Sequence, residues 1–396
     1  MDFKFSGWNY QRLGSYGVEK LVKDSVDLGL NLPVTLRYET GDDKAEMIKL
    51  LDECEKNGLR VLLDDGRANY PKLFRQSPDE FKANVMQAVK DFGSHPAVYG
   101  FHIGDEPYGV NGINNNPWEK AATAIKICNE CAPNLNNFIN LLPFWHDDGD
   151  ENNDLFYEAT GARTPEEYSE VVKNFVAETG IKYIGYDCYS VLCYFEKERY
   201  KNVFFTNYRI FENALKGTQT KLYVSLLSAG HMSLRVPTQD DFRYQISTAV
   251  ASGASGILWF SLYQRCWDYS FRGYPINMWG ERTQTFQALS EECRTFLQVF
   301  APQFKDYEYV WSKHVGKTYG GFETFTEDDF FASVKTVIGD SPLIVTRFEN
   351  SKGEALYTVT NNDFEKPALV RVEIKRENGV RPWSVWLAPG QLITLK

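Results

Sequence analysis

VYGFHIGDEP, residues 98–107, followed by PWEKAATAIKICNECAP, residues 117–133, is a strand and then a helix. The first segment is a β-branched and aromatic run bounded upstream by Ser94-His95-Pro96, which reads as a buried strand. It ends on two adjacent carboxylates, Asp105 and Glu106, and Pro107 stops it. The second segment has its apolar residues at helical spacing. Burying two like charges at a strand tip costs stability unless they are used. Strict alternation would set Gly100, His102, Gly104 and Glu106 on one side of the strand. The structural alternative is that Asp105 only caps the next helix.

The same strand-then-helix unit recurs in both directions from this stretch. Upstream, FKFSGWNY (3–10) leads to YGVEKLVKDSVDLG, NLPVTLRYE (31–39) to KAEMIKLLDECEKNG, and LRVLLDDG (59–66) to SPDEFKANVMQAVKDFG. Gly58 ends the second helix, and Ser77 with Glu80 forms a capping box at the start of the third. Downstream, NNFINLLPF (136–144) precedes TPEEYSEVVKNFVAETG, where Thr164 caps and Pro165 takes the first helical position. KYIGYDCYS (182–190) leads to FFTNYRIFENALKG, KLYVSLLSAG (221–230) to PTQDDFRYQISTAVASG, and ASGILWFSLYQ (254–264) to RTQTFQALSEECRTFLQVF. Eight such units over about 300 residues are the number and size of a (β/α)8 TIM barrel. A doubly wound sheet would show a glycine-rich phosphate turn after its first strand, and GWNYQRLGSYG is not one.

From about residue 306 the helices cease. FFASVKTVI, PLIVTRFE, EALYTVTN, ALVRVEIK, WSVWL and LITLK are short alternating runs separated by Gly, Asn, Asp and Pro. They predict a small all-β sandwich, so the chain divides into a barrel domain, 1–305, and a sandwich domain, 306–396. The sandwich has no cluster of carboxylates, histidines and cysteines, and its expected role is structural. Binding of a polymer through Trp383 or Trp386 is the alternative.

Composition narrows the function. The 43 Lys+Arg against 53 Asp+Glu give a formal charge of −10. Nothing basic is clustered, so nucleic acid is not an expected partner. No apolar run approaches the roughly 20 residues that span a bilayer. The opening MDFKFSGWNY has no charged-then-apolar leader; a cytoplasmic protein, or a periplasmic or secreted one with its leader removed, fits this equally. The cysteines, 54, 128, 131, 188, 193, 266 and 293, are scattered. Cys128 and Cys131 form the lone CxxC without two further ligands at zinc spacing, so buried thiols are expected.

Chemistry in such a barrel sits at the C-terminal strand ends. Those ends offer Trp8 and Asn9, then Arg37 and Glu39, then Asp64 and Asp65. His102, Asp105 and Glu106 follow, then Asn140, then Asp187 and Tyr189. Ser228 and His231 come next, and last Trp259, Ser261 and Tyr263. The ring is acidic and aromatic, with no phosphate cradle and no lysine placed for a Schiff base. It suits a neutral polyhydroxylated ligand, with aromatic faces over sugar rings and carboxylates, Asn and Arg on the hydroxyls. The carboxylates with His102 or His231 could instead hold a divalent metal, but no HxH or HExxH spacing supports that.

On these residues the chain resembles the TIM-barrel glycoside hydrolases. Glu106 in GDEP looks like their acid/base position, where Asn-Glu-Pro often stands. LWFSLYQ at the eighth strand and a β-domain behind the barrel add to the likeness. RVPTQDDFRYQISTAVASGASGILWFSLY (235–263), with GDEP and YDCYS, is similar to bacterial barrels classed as glycoside hydrolases. Two departures stand out. Asp105 replaces the usual Asn, which in the family contacts the sugar 2-hydroxyl. The seventh strand, KLYVSLLSAG, has no Glu where retaining members keep their nucleophile.

The resulting expectation is a glycosidase acting on an oligosaccharide or polysaccharide without metal or cofactor, its oligomeric state open. Glu106 would be the general acid, with its pKa raised by Asp105. Asp187 is the expected second carboxylate; Asp64, Asp65 and Glu281 are its rivals. Trp8, Asn9, Arg37, His102, Asp105, Asn140, Tyr189, His231, Trp259 and Tyr263 would bind substrate. From strand spacing Asp187 should lie roughly 8–10 Å from Glu106 before side-chain reach is considered, nearer the spacing of inverting enzymes. The other expectations are a non-catalytic carbohydrate-binding protein on a hydrolase scaffold, favoured by the missing Glu, and a metal-dependent hydrolase.

Overall fold

The computed structural model describes residues 1–108, 116–145, 152–265 and 270–396. Seven parallel strands form one curled sheet: β1 (Lys4–Gly7), β2 (Val61–Leu63), β3 (Val98–Asp105), β4 (Phe138–Leu141), β5 (Tyr183–Asp187), β6 (Lys221–Leu227) and β8 (Gly256–Phe260), with the short β7 (Gly230–His231) between the last two in sequence. Their order is β1-β8-β6-β5-β4-β3-β2. Each strand is thus followed around the sheet by the next one in the chain, and β8 returns to β1.

The sheet closes through residues 31–38, expected as a regular second strand. Pro33 has no N–H to give to a ladder, and the segment is extended but irregular. Asn31 and Leu32 donate their backbone N–H groups to the Phe5 carbonyl, and Thr35 and Tyr38 donate to those of Leu62 and Asp64. Bridges pair Val34 with Leu62 and Tyr38 with Asp65. The architecture is the (β/α)8 barrel. Among the described helices, eight cover it, Val18–Leu28, Lys44–Lys56, Pro78–Ala88, Pro117–Cys131, Pro165–Thr179, Lys197–Leu215, Gln239–Ala251 and Gln284–Thr295, with the shorter Asn152–Thr160 and Ala301–Phe304 besides. Three open on reciprocal capping boxes, Ser77/Glu80, Thr164/Glu167 and Thr238/Asp241. Each box satisfies two backbone donors that a helix start leaves over. None of the described helices is long and apolar enough to cross a membrane.

Alternation divides the strand residues between two cores. Trp8, Leu32, Val34, Leu62, Phe138, Tyr223 and Leu258 fill the barrel interior. Phe5, Phe101, Ile139, Ile184, Val224, Ile257 and Trp259 face the helices.

The sandwich follows. β10 (Tyr307–Val315), β12 (Leu343–Asn350), β13 (Ala355–Asn361) and β16 (Leu392–Leu395) form one antiparallel sheet; β11 (Phe331–Ile338), β14 (Ala368–Arg376) and β15 (Gly379–Leu387) form the other. A two-residue strand, β9 (Phe271–Arg272), pairs with β7 at the barrel mouth. β10 had no counterpart among the expected strands, and its pairing with β12 is broken by an irregularity between Tyr309 and Trp311. Such a bulge interrupts the alternation by which strands are read. Tyr244 Oη donates to Asn362 Oδ1 at 2.8 Å and Thr346 Oγ1 to the Ala251 carbonyl at 2.9 Å, joining sandwich to barrel. Gly390 lies against the same helix, where a Cβ would come within 2.4 Å of Tyr244 Cα. Trp383 and Trp386 are exposed on β15, opposite Val372 and Leu369; three residues apart, they lie on opposite faces and form no single platform. Cys54, Cys128, Cys188, Cys193 and Cys293 are buried, Cys131 is half-buried, and all six are free thiols. Cys266 lies outside the described residues.

Candidate active site

Three neighbouring strands carry the acidic end of the barrel. β4 lies between β3 and β5, and its Asn140 is paired with Asp105 on one side and Gly185 on the other. Asn140 is buried, and its Nδ2 donates to Asp105 Oδ1 at 2.9 Å and to Asp187 Oδ1 at 3.1 Å. One amide therefore links the two aspartates. Gly185 makes room for it, since a Cβ there would meet Asn140 Oδ1 at 2.9 Å and Phe138 Cζ at 2.7 Å.

Simple alternation would turn Asp105 away from Glu106. The register between β3 and β4 shifts between His102 and Gly104, and Glu106 has φ +40°. Gly104 is held at φ +154° against the Tyr70 ring, where a Cβ would lie 2.3 Å from Cδ1. Tyr70 Oη donates to the carbonyls of Asp105 and Glu106, 3.3 Å each, and the Glu106 N–H donates to the Asn140 carbonyl at 3.0 Å. A left-handed non-glycine residue persists only where its surroundings hold it, and such residues gather at functional sites. The kink brings both carboxylates to the cleft.

Glu106 and Asp187 are hydrogen-bonded to each other through their carboxyl groups. Side-chain reach, which the strand spacing alone does not include, closes the distance between β3 and β5. Desolvation, with the charge of Asp105 behind it, pushes Glu106 up to about 7. Desolvation and then the charges of Glu106 and Asp105 hold Asp187 well above the carboxylate range. Asp105 is raised too, again mainly by desolvation, while the Asn140 bond pulls the other way. Among these three groups at least one proton is retained near neutrality.

The facing wall is aromatic. Tyr10 stacks on Trp8 with ring centres 6.1 Å apart and is 42% exposed. Phe260 meets Tyr10 edge-on at 6.1 Å and stacks with Tyr189 at 5.4 Å; His231 lies 5.8 Å from Phe260 and 4.5 Å from Phe271. Trp8 is buried beneath Tyr10, with Nε1 donating to Ser225 Oγ at 3.2 Å and its ring against the edge of His102 at 4.9 Å. Trp8 and His102 thus form the floor, and Tyr10 presents the open ring.

The strand ends expected to carry substrate divide accordingly. Trp8, His102, Asp105, Glu106, Asn140, Asp187, Tyr189 and His231 come together. Arg37 joins at the rim, with Nε donating to Glu39 Oε1 at 2.7 Å and Nη1 3.8 Å from Asp64 Oδ1; Asp64 is in turn 3.9 Å from His102 Nδ1. Asn9 closes a local turn, its Oδ1 accepting from the Gln11 N–H at 3.1 Å. Trp259 is fully buried on the helix side of the sheet, stacked with Phe5 at 6.4 Å and edge-on to Phe242 at 5.5 Å. Tyr263 is buried and donates to Asp24 Oδ2 at 2.6 Å. Neither of these two faces the cleft.

Of the rivals for second carboxylate, Asp65 is fully buried and accepts from Arg67 through both oxygens, while Glu281 accepts from Asn277 Nδ2 at 2.9 Å on an exposed loop. Asp64 remains at the cleft. Two cleft residues went unnamed in the sequence reading, Tyr10 and Phe260. Tyr10 is two residues beyond Trp8 and so shares its side of the chain, which was the signal available. Phe260 is one residue beyond Trp259, and one residue is the difference between the two faces of a strand.

The site carboxylates do not form a metal cage. Among the described residues, the three-ligand group with donor atoms within 4.8 Å of one another is Asp52, Glu55 and His95. It lies before β3, at the opposite end of the strands from Glu106. There His95 Nδ1 accepts the Ala97 N–H at 3.2 Å, which leaves the ring proton on Nε2, 3.1 Å from Asp52 Oδ1. That is a donor to a carboxylate rather than a ligand nitrogen.

No protein-family model and no curated protein matches the sequence. Solved structures do match in fold. A β-galactosidase from Bacillus circulans sp. alkalophilus superposes with a TM-score of 0.57 at 10% identity, covering 78% of this chain and 58% of its own. A β-galactosidase from Rahnella sp. R3 gives a TM-score of 0.56 at 14% identity, covering 76% and 57%. One from Marinomonas ef1 gives 0.53 at 11%, covering 76% and 60%. The chain spans less than two thirds of the length of each. At these identities the likeness is one of fold: this chain and those enzymes share the TIM barrel.

Proposed function

We propose that the chain hydrolyses glycosidic bonds, with Glu106 as the general acid. The observation that carries the reading is Glu106 itself, held in the cleft at about 7 beside Asp105 and Asp187. A proton donor near neutrality is what protonation of a departing glycosidic oxygen needs. Asp187, the more strongly raised of the pair, donates its proton to Glu106 in the resting site, and on losing it becomes the electrostatic partner for the positive charge that develops on the sugar ring. Asn140 keeps Asp187 and Asp105 in place, and Tyr10, Phe260 and Tyr189 provide the surface on which a sugar ring stacks. No step calls for a cofactor.

Inversion, with Asp187 activating water, requires the pair to open to about 6.5–9.5 Å, so a substrate entering the cleft has to part them. The second reading is carbohydrate binding without turnover. Its support is the seventh barrel strand, where residues 221–230 contain no carboxylate and the end of β6 runs Leu226, Leu227, Ser228. A panel of aryl glycosides, assayed with the unmodified chain and with Glu106→Gln, separates the two. Release of the aryl group that depends on Glu106 supports hydrolysis; saturable sugar binding with no release by either form supports binding alone. Proton NMR of the first-formed anomer then reads the stereochemistry.

A further inference from the structure

We infer that the substrate is a chain of sugar residues that lies along the cleft, seated on both sides of Glu106 and cut at an internal bond. This rests on the hydrolase reading and names its substrate class. A single sugar is served by Tyr10, Phe260 and Tyr189, but the aromatic strip runs further in both directions. On the β6 side it passes from Phe260 to His231 at 5.8 Å and from His231 to Phe271 at 4.5 Å. All three are half-buried, and the pairing of β7 with β9 sets His231 opposite Phe271. A sugar ring is about the size of one aromatic ring, so such a strip holds more than one. On the β1 side, over the start of the helix Val18–Leu28, stands Trp279, 70% exposed. Its turn is braced there. Tyr16 Oη donates to the Met278 carbonyl at 3.4 Å, and a Cβ at Gly280 would meet Tyr16 Cε1 at 2.8 Å and Lys20 Cε at 3.2 Å. The charges of Asp105, Glu106 and Asp187 reach the phenols of both Tyr10 and Tyr189, so the acid stands between the two ends of the strip.

The distribution of exposed rings points the same way. Among the described residues of the barrel domain they are Tyr10, Tyr108, Trp145, Tyr194, Phe195 and Trp279, each on a segment that follows the C-terminal end of a strand. Tyr157, on the short helix after β4, completes the set, and the Arg163 guanidinium lies over its ring at 3.8 Å. Single exposed apolar residues are ordinary on any surface, but confinement to the end that carries the acid is not. The kind of residue names the partner. The exposed valines of the barrel domain, Val26 and Val299, are on its covering helices, and no exposed Val, Ile or Leu stands among the described residues at the mouth. A groove for an amphipathic helix, or a face that enters a membrane, combines rings with aliphatic side chains. Flat rings set apart from aliphatic neighbours fit the C–H faces of sugars.

The test uses cello-, manno-, xylo-, laminari- and galacto-oligosaccharides, each as a series from the single sugar to the hexasaccharide. Titration calorimetry on Glu106→Gln reads binding, and product analysis with the unmodified protein reads the point of cleavage. In at least one series the hexasaccharide should bind tenfold or more tightly than the single sugar. The unmodified protein should release fragments of two or more residues from it before single sugars. Phe271→Ala and Trp279→Ala, at opposite ends of the strip, should each narrow the affinity gap fivefold or more. A hexasaccharide bound no more tightly than the single sugar in every series, absence of binding included, would overturn the inference. So would a gap that either substitution leaves as it was, or release of single sugars alone. Glu106-dependent cleavage of aryl monoglycosides with no gain from chain length would overturn it while leaving the hydrolase reading intact. A hexasaccharide preference narrowed by both substitutions, without cleavage by the unmodified protein, would uphold recognition of a chain and count against hydrolysis.

Discussion

Glu106 and Asp187 come from strands separated by β4, yet their carboxyl groups are hydrogen-bonded to one another. The kink at Gly104 turns Glu106 inward, and Asn140 draws Asp187 toward it from the intervening strand. The proton thus held in the cleft is the origin of the first two predictions.

Glu106→Gln keeps the shape and the hydrogen-bonding capacity but has no acidic proton to give. Turnover should fall by about 10²–10⁴. The melting temperature should hold or rise, because a charge is removed from a crowded group of like charges. Steady-state kinetics alongside thermal denaturation checks both. Unchanged turnover would remove Glu106 from the mechanism, and ready unfolding would make it structural.

The pH dependence has a definite sign. With Glu106 raised from 4.5 to about 7, its protonated form should persist to near neutrality, and activity should decline as pH rises through about 7. A carboxyl whose folded pKa is raised contributes stability that is complete below 4.5 and is lost as pH rises through about 7. Glu106→Gln lacks this contribution, so its melting temperature should gain on that of the parent over that interval. A pH–rate profile and melting curves at stepped pH measure both.

Trp259 and Phe260 should behave as opposites. Trp259→Ala empties a filled core position and should cost about 3–5 kcal/mol of stability while leaving the sugar affinity of the folded fraction unchanged. Phe260→Ala, at the cleft, should weaken affinity by about 1–3 kcal/mol. Denaturant melts and sugar titrations on the two variants decide it, and an affinity loss in Trp259→Ala alone would reverse the assignment.

Arg67 lies between Asp65 and Asp91, with Nη2 2.8 Å from Asp65 Oδ2 and Nη1 2.6 Å from Asp91 Oδ2. Arg67→Leu leaves Asp65 charged and buried, and should cost about 3–5 kcal/mol. Since the pair is read as scaffold, turnover per folded molecule should be kept. Loss of turnover at full stability would move Asp65 back among the reacting groups.

Dialysis against a strong chelator should leave turnover unchanged, because proton transfer by carboxylates is the chemistry proposed. Loss of activity restored by one divalent ion would place the protein among metal-dependent hydrolases.

The alternation of eight strands and helices is local information. It is written in hydrophobic period, in capping pairs such as Ser77/Glu80 and Thr164/Glu167, and in stops such as Gly58, so the barrel and the sandwich behind it were legible from residues alone. So was the placing of Asp105 and Glu106 at a strand end, because the run before them and Pro107 after them define that end. What lay beyond the sequence was which way a side chain faces and how far it reaches. Residues 31–38 became a closing segment because hydrogen bonds to Phe5 and Leu62 tie it to both edges of the sheet. Trp259 was assigned to the cleft and Phe260 was not, and the reverse holds, since a strand has two faces and its own alternation does not say which is inside. Register with β1 and β6 makes that choice. The contact of Glu106 with Asp187 depends on a register shift, a residue at positive φ and an amide on a third strand. The sequence alone determines the order of elements and the chemical groups at their ends; the meeting of those groups is a long-range outcome of packing, decided only once the sheet has closed.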